Sequence, residues 1–219
     1  SEHIRLVAAF NHMHIFVDPD PDPAKSYQER KRLFEKPRSS WADYEHTLIS
    51  KGGGVFQRSA KSVAITSEMK QRFAINESQL TPSDLIVALL KSPVDLIWNG
   101  GIGTYIKGSG ESNADVGDKA NDAIRINGVQ VRARVIGEGG NLGMTQLGRV
   151  EFGLAGGASN TDAIDNAGGV DCSDHEVNIK ILLDNLVLTG ELTAKQRNQP
   201  MVDSTGYVTK LHLEYSYDA

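Results

Sequence analysis

The stretch Val131–Gly143 (VRARVIGEGGNLG) decides the expected fold, because a run rich in β-branched residues passes directly into glycines. The same pattern occurs at Val94–Gly103 (VDLIWNGGIG). Glycine at the end of a strand permits positive φ and lets the backbone approach a bound molecule closely. Ligands of parallel sheets bind outside the carboxyl ends of the strands, so both loops are expected to border one crevice. A dinucleotide fits such a crevice.

Helical patterns lie between these strands. Thr81–Asp84 (TPSD) supplies an N-cap, a proline at the first helical position and an acid in the first turn, and it predicts a helix that ends before Pro93. Further helices are predicted over about Thr145–Leu154 and Ser173–Val187. Strands alternating with helices predict an α/β protein with a Rossmann-like, doubly wound and mostly parallel sheet.

The beginning of the chain indicates an incomplete sheet. Ile4–Phe10 (IRLVAAF) has the composition of a buried strand, but no G-x-G-x-x-G phosphate loop follows a first strand. Gly137–Gly140 (GEGG) is similar but lies late in the chain. We therefore expect the sheet to be incomplete at its N-terminal edge, with the first strand, the phosphate loop and the first helix upstream of Ser1.

Length and composition fit one large domain or two small ones. The 219 residues are 39% hydrophobic, which is enough apolar surface for a core. We assign residues 1–197 to the Rossmann-like domain and residues 198–219 to a C-terminal helical tail. Two helical patterns separated by Pro200 are expected near this boundary.

Charge and cysteine content exclude several classes of function. The formal net charge is -5, which gives no basic face for nucleic acid. No apolar run approaches the roughly 20 residues of a membrane span. The only cysteine, Cys172, excludes an internal disulfide framework, and with no signal-peptide pattern the cytoplasm is the expected location. No ligand spacing joins the histidines to Cys172, so no metal is expected.

Asp171–Glu176 (DCSDHE) places polar and reactive side chains directly before an apolar helical run. Ser173 or Asp174 would cap that helix, and the helix N-terminus would attract an anion. The alternative is a catalytic pair of Cys172 and His175, as in a cysteine-dependent hydrolase. Adjacency in sequence does not decide between these interpretations.

Asn11 follows the first strand, where a Rossmann domain places the side chain that binds the adenosine ribose, usually an acid. Asn11 would bind a ribose hydroxyl there. The alternative is a polar residue that simply ends a strand.

Six blocks of the sequence together resemble the large bacterial NAD-specific glutamate dehydrogenases. The resemblance extends to about Arg197 and is less clear in the tail. The blocks are FNHMHIFVDPDPD (10–22), PRSSWADY (37–44), LISKGGGVFQRSAKS (48–62), PVDLIWNGGIGTYIK (93–107), VIGEGGNLGMTQLGRVEF (135–152) and NTDAIDNAGGVDCSDHEVNIKILL (160–183).

The resemblance implies oxidative deamination of L-glutamate to 2-oxoglutarate and ammonia, with hydride transfer to NAD. The block at Glu138–Asn141 is similar to the family's EGAN motif, with Gly140 in place of alanine, and makes Asn141 a candidate for binding the nicotinamide ribose. Asn166–Gly169 matches the family's NAGG motif, so Asn166 is the candidate beside the nicotinamide amide.

The resemblance also implies a role for four further residues. Ser173 falls at the serine that binds the distal carboxylate of the substrate. Asn99 and Gly100 lie in the loop that runs along the cofactor. Asn11 lies at the ribose position, although related enzymes more often have an acid there.

The catalytic lysine and aspartate of the family would lie upstream of Ser1, so no catalytic residue is assigned in this chain. We expect it to be inactive alone, to bind NAD weakly, and to work with the remainder of its polypeptide, as a homo-oligomer in the full enzyme. The alternative is a non-catalytic, nucleotide-binding regulatory module.

Overall fold

The computed structural model describes residues 1–217, with side chains through residue 214, and has a mixed α/β fold as expected. The strands are β1 Ala8–Phe10, β2 His14–Val17, β3 Gly54–Gln57, β4 Val63–Ala64, β5 Gln79–Leu80, β6 Leu96–Asn99, β7 Ile106–Lys107, β8 Ile126–Asn127, β9 Val135–Glu138 and β10 Ala158–Ser159. The helices are α1 Pro23–Glu35, α2 Ser67–Phe73, α3 Pro82–Leu90, α4 Asn113–Val116, α5 Gln146–Leu154, α6 Asp162–Asp165, α7 Ala167–Leu188 and α8 Ala194–Tyr217.

The strands of the described residues form four small sheets, ordered β1-β2-β3, β10-β9-β6, β4-β5 and β7-β8. The pairs β1–β2, β2–β3 and β4–β5 are antiparallel, whereas β7–β8 is parallel. The described residues thus contain both antiparallel and parallel pairs, and the Rossmann-like, mostly parallel sheet stays a prediction.

The turn after β1 explains why β1 and β2 are antiparallel. The side-chain oxygen of Asn11 accepts hydrogen bonds from the backbone N–H groups of Met13 and His14, both at 2.8 Å. This tight turn sends β2 back along β1, with Phe10 paired to Ile15. The predicted buried strand Ile4–Phe10 is correspondingly short and only half-buried.

The chain divides into two compact units. Unit 1 comprises Ser1–Ile97, Thr104–Ile136 and Met144–Ala158. Its core is a cluster of buried aliphatic and aromatic side chains that includes Met69 and Phe152. Its helices bury apolar side chains against that core.

Unit 2 comprises Trp98–Gly103, Gly137–Gly143 and Ser159–Ala219. Helices α7 and α8 pack on each other here, and each buries an apolar side chain, Leu183 and Val208 respectively. The division into residues 1–197 and 198–219 stays a prediction. Its boundary falls inside α8, and residues 218–219 of the predicted tail lie outside the described residues.

Two helices begin where the sequence predicts. Thr81 caps α3, with its hydroxyl accepting from the backbone N–H of Asp84, and Pro82 occupies the first position. Thr145 caps α5 in the same way, accepting from Gly148 at 3.0 Å. Both caps satisfy backbone donors that the helix itself leaves without partners.

Two helical predictions near the C-terminus are wrong. Helix α7 begins at Ala167, six residues before the expected start, so Ser173 and Asp174 lie within the helix and do not cap it. Pro200 lies inside α8 and does not separate two helices. Among the described residues, no helix combines the length and the apolar character needed to cross a membrane.

Candidate functional site

Two glycine-rich loops of unit 2 approach each other closely. They are Trp98–Gly103, which includes the end of β6, and Gly137–Gly143, which includes the end of β9. A Cβ at Gly140 would lie 2.4 Å from the carbonyl oxygen of Gly101, and one at Gly143 would lie 2.1 Å from Asn99 Nδ2. A Cβ at either position would force its neighbour to move, and at Gly140 that neighbour is backbone, so glycine favours this close packing.

The ring of Trp98 lies across the same loop. A Cβ on Gly137 or Gly139 would come within 2.5 or 2.4 Å of the indole. The ring thus covers the backbone of the Gly137–Gly143 loop, while Trp98 itself stays 61% exposed. An exposed aromatic face beside open backbone can stack on a planar ligand.

A pair of amides joins this loop to the start of α7. Asn166 Nδ2 donates to Asn141 Oδ1 at 2.6 Å, across 25 residues of sequence. Asn166 stands between α6 and α7, where an asparagine often caps a helix, but its side chain makes no capping hydrogen bond. Its side-chain amide contacts Asn141 instead. The structure thus brings Asn141 and Asn166 together.

Two carboxylates of α6 hold the Gly137–Gly143 loop. Asp162 Oδ2 accepts from the backbone N–H of Leu142 at 2.9 Å, and Asp165 Oδ2 accepts from that of Glu138 at 3.0 Å. Leu142 has a positive φ of 54°, which is uncommon for a residue other than glycine. The sequence interpretation missed both aspartates. Their position just before the NAGG motif is the only signal that could have indicated them.

An open cleft of about 450 Å³ lies beside the amide pair. Three of its lining residues are acidic, so the wall of the cleft is negatively charged. The lining residues are Asn141, Asp162, Ala163, Ala167, Val170, Asp171 and Asp174.

Ser173 lies in the second turn of α7, is exposed, and does not line this cleft. The helix N-terminus that was expected to hold an anion beside Ser173 is at Ala167 instead. On the helix, Ser173 lies on a different face from Asp171 and Asp174, which both line the cleft.

Cys172 is exposed on α7, one helical turn before His175. His175 Nδ1 lies 2.8 Å from the backbone oxygen of Asp171 and 3.4 Å from that residue's carboxylate. The imidazole is therefore directed back along the helix to Asp171. This arrangement gives no support to a catalytic pair of Cys172 and His175.

The remaining candidates are Asn99, Gly100 and Asn11. Asn99 Oδ1 accepts weakly from Gly101 N at 3.4 Å, and Asn99 Nδ2 is buried without a hydrogen-bond partner among the described residues. Gly100 follows in the same loop, against the indole of Trp98. Asn11 lies in unit 1, where its side-chain oxygen closes the β1–β2 turn. Its role at a ribose stays a prediction.

No set of three or more His, Cys, Asp or Glu side chains in the described part of the chain is arranged to hold a metal ion. In unit 2, the Asp171 carboxylate lies between two histidines, 3.4 Å from His175 Nδ1 and 3.2 Å from His212 Nδ1. When the imidazoles are protonated, the His175–Asp171 contact is an ion pair within α7 and the His212–Asp171 contact is an ion pair between α8 and α7.

A mixed α/β fold with glycine loops at strand ends is typical of nucleotide-binding enzymes. The whole chain, residues 1–219, matches the family model described as bacterial NAD-glutamate dehydrogenase, catalytic domain. The chain belongs to this bacterial NAD-glutamate dehydrogenase family, and the resemblance noted in the sequence is confirmed.

Relatives from three bacteria are each named NAD-specific glutamate dehydrogenase. The chain is 67% identical to that of Pseudomonas aeruginosa over 217 residues, 62% to that of Halomonas elongata over 217, and 56% to that of Mycobacterium tuberculosis over 224. These alignments cover 99%, 99% and 100% of this chain. The chain spans only 13 to 14% of the length of these relatives.

Proposed function

We propose that this chain is the cofactor-binding part of an enzyme that oxidatively deaminates L-glutamate to 2-oxoglutarate and ammonia with hydride transfer to NAD. The observation that carries the proposal is the hydrogen-bonded pair of Asn141 and Asn166 at the edge of an open cleft. The family match and the names of the relatives support the reaction. The family model that matches is described as a catalytic domain. The narrower assignment to cofactor binding therefore rests on the two glycine-rich loops, Trp98–Gly103 and Gly137–Gly143.

The loop residues fit a dinucleotide. Close packing of Gly140 on Gly101 leaves backbone without side chains at the strand ends, where a ligand can approach. The buried Nδ2 of Asn99 is a donor without a partner among the described residues, and burying such a group is unfavourable unless a ligand accepts from it. These features favour a polar ligand that lies along the Asn99–Gly100 loop.

NAD supplies the hydride acceptor at C4 of its nicotinamide. In the proposal, Asn141 binds the nicotinamide ribose and Asn166 binds the carboxamide, and their mutual hydrogen bond fixes both side chains before the ligand arrives. A fixed amide loses less conformational entropy on binding than a mobile one. Asn11 is proposed to bind the adenosine ribose through its NH2 group, because its oxygen is engaged in the turn.

Ser173 is proposed to bind the distal carboxylate of glutamate. Its hydroxyl is exposed and free to donate, but Asp174 is its direct neighbour and Asp171 lies within the same helical turn. The negative charge of these two side chains makes it unfavourable to bind the carboxylate of glutamate beside them. We therefore propose that the remainder of the polypeptide contributes a basic side chain beside Ser173.

Four further statements belong to this proposal. The sheet β10-β9-β6 is part of a Rossmann-like core that upstream residues complete. The catalytic groups lie outside residues 1–219. The isolated chain is inactive, and the full enzyme is a homo-oligomer. Each follows from the resemblance and is tested by comparing the chain with the full-length polypeptide.

The test is a calorimetric titration of NAD into this chain, into its Asn166→Ala variant, and into the full-length polypeptide with and without the same substitution. We expect weak binding by the chain, tighter binding by the full-length protein, and loss in both variants. Asn185→Ala is the matched control, because Asn185 is an exposed asparagine of α7 that does not line the cleft.

Formation of NADH with glutamate is measured in parallel by fluorescence. Only the full-length protein should form NADH, and Asn166→Ala should reduce the rate. NAD binding without any glutamate-dependent NADH would favour the regulatory module instead. Unchanged NAD binding by both Asn166→Ala proteins would refute the assignment of the cofactor site.

A further inference from the structure

Asp162 is hydrogen-bonded to Asn166 and to the residue that follows Asn141, through different atoms. Its carboxylate accepts from the backbone N–H of Leu142, the residue after Asn141, at 2.9 Å. Its backbone carbonyl accepts from the backbone N–H of Asn166 at 2.7 Å. One residue thus connects the two segments that carry the pair, which are otherwise 25 residues apart in sequence.

We infer that Asp162 is a positioning residue, which holds Asn141 in the orientation that the proposed cofactor site requires. This inference rests on the proposed function. Asp162 is not assigned any contact with the reacting atoms. It acts through the backbone of the Gly137–Gly143 loop.

The conformation of Leu142 gives the physical reason. A non-glycine residue at a φ of 54° adopts the left-handed region at a cost, and it stays there only when its surroundings hold it. The hydrogen bond from Leu142 N–H to a carboxylate is charge-assisted and therefore stronger than a neutral one. Without it, the loop loses one of the two α6 carboxylates that hold it, and a relaxation at Leu142 would displace the adjacent Asn141 relative to Asn166.

The second contact limits what a substitution at Asp162 disturbs. The hydrogen bond from Asn166 N to the Asp162 carbonyl belongs to the backbone, so it persists in any side-chain variant. A side-chain substitution at Asp162 therefore removes the Leu142 contact and leaves the Asn166 contact in place. Because Asp162 also lines the cleft, Asp162→Asn separates loss of the charge from loss of the acceptor.

The experiment uses the full-length enzyme and three variants, Asp162→Ala, Asp162→Asn and Asp203→Ala. Asp162→Ala removes the acceptor and is expected to lower kcat/KM for NAD about tenfold, the effect of losing one such hydrogen bond. Asp162→Asn keeps an oxygen that accepts from Leu142 and should restore most of the activity. Asp203→Ala is the matched control, because it also removes a carboxylate that accepts one hydrogen bond, from Gln199 on α8.

A double-mutant cycle separates positioning from general loss of structure. If Asp162 acts through Asn141, adding Asp162→Ala to Asn141→Ala should lower kcat/KM no further. If the two substitutions instead lower kcat/KM independently, so that their fold-losses multiply, the inference is overturned. If Asp162→Ala yields no folded protein, Asp162→Glu takes its place, because it keeps the charge but displaces the acceptor by a methylene.

The outcomes distinguish the inference from the proposal beneath it. A loss of NAD binding with Asn141→Ala, but none with Asp162→Ala, overturns the positioning role and leaves the proposed site intact. No effect from Asn141→Ala overturns the assigned site and the positioning role together. Failure of Asp162→Asn to recover activity, when that variant melts at the parent temperature, also contradicts the inference.

Discussion

The substitution Gly140→Ala tests the close packing of the two glycine loops. The resemblance gives alanine at this position, yet a Cβ here would lie 2.4 Å from the oxygen of Gly101, 2.9 Å from its carbonyl carbon and 3.3 Å from its Cα. All three atoms belong to the backbone, so no side-chain rotation relieves the overlap. The Trp98–Gly103 loop must move by roughly an ångström to restore ordinary contact distances.

Overpacking of this kind costs about 1–3 kcal/mol of unfolding free energy. For a chain of this length each kcal/mol corresponds to about 2–4 °C, so the melting temperature should fall by about 2–12 °C. Scanning calorimetry measures this shift, and NAD titration should weaken in parallel because the Asn99–Gly100 loop is displaced.

Gly206→Ala is the matched control for this experiment. Gly206 lies inside α8 and nothing is within 4 Å of the position of its Cβ. Alanine there should leave the melting temperature unchanged or raise it, since glycine in a helix is about 0.5–1 kcal/mol less favourable than alanine. A Gly140→Ala protein as stable as the parent, with unaltered NAD binding, would refute the packing argument.

Three further predictions concern stability and reactivity. The Arg125 side chain is fully buried and donates to four acceptors, Thr104 O at 2.8 Å, Asn113 Oδ1 at 2.8 Å, Asp122 Oδ1 at 2.6 Å and Asp118 O at 2.5 Å. Because Arg125→Met removes all four hydrogen bonds, it should lower the free energy of unfolding by about 2–3 kcal/mol in urea titrations, and an unchanged midpoint would contradict this. Hydrogen bonds from Lys36 and then from Ser40 lower the pKa of Asp43 from 3.8 to about 2, and hydrogen bonds from Lys51, from the Glu68 backbone and from Ser67 lower that of Glu68 from 4.5 to about 2. Because these carboxyls are more acidic in the folded state, their stabilisation is present above about pH 4.5 and lost as the pH falls toward 2. Tryptophan fluorescence should show acid unfolding at higher pH in Lys51→Met, and equal midpoints for variant and parent would count against the ion pair. Cys172→Ser should leave glutamate-dependent NADH formation by the full-length enzyme unchanged. Loss of this activity would favour the alternative in which Cys172 and His175 form a catalytic pair.

Local signals predicted those parts of the fold that local interactions stabilise. The caps of α3 and α5 depend on a threonine and the residue three positions later, so Thr81 and Thr145 could be recognised from sequence alone. The glycine-rich ends of β6 and β9 were likewise visible, because an apolar run followed by glycines is a local pattern. The family resemblance depended on long blocks of residues and needed no fold.

Other features depend on contacts between distant residues. The direction of β2 follows from hydrogen bonds of Asn11, a residue that the sequence interpretation assigned to a ligand. The start of α7 is another example, since the helix was expected from about Ser173 but includes Gly168 and Gly169, whose intrinsic helix propensity is low. Tertiary packing can offset their low helix propensity.

The sequence by itself indicated the family and the mixed α/β class, and it named Asn141 and Asn166 as candidates for the cofactor site. Only the tertiary structure decided that these two amides form a pair, that Asp162 connects them, and that Ser173 lies outside the cleft. The physical reason is the range of the interactions. A cap or a glycine turn is settled within about four residues, whereas the Leu142–Asp162 and Asn141–Asn166 hydrogen bonds join residues 20 and 25 positions apart and form only after the chain has folded.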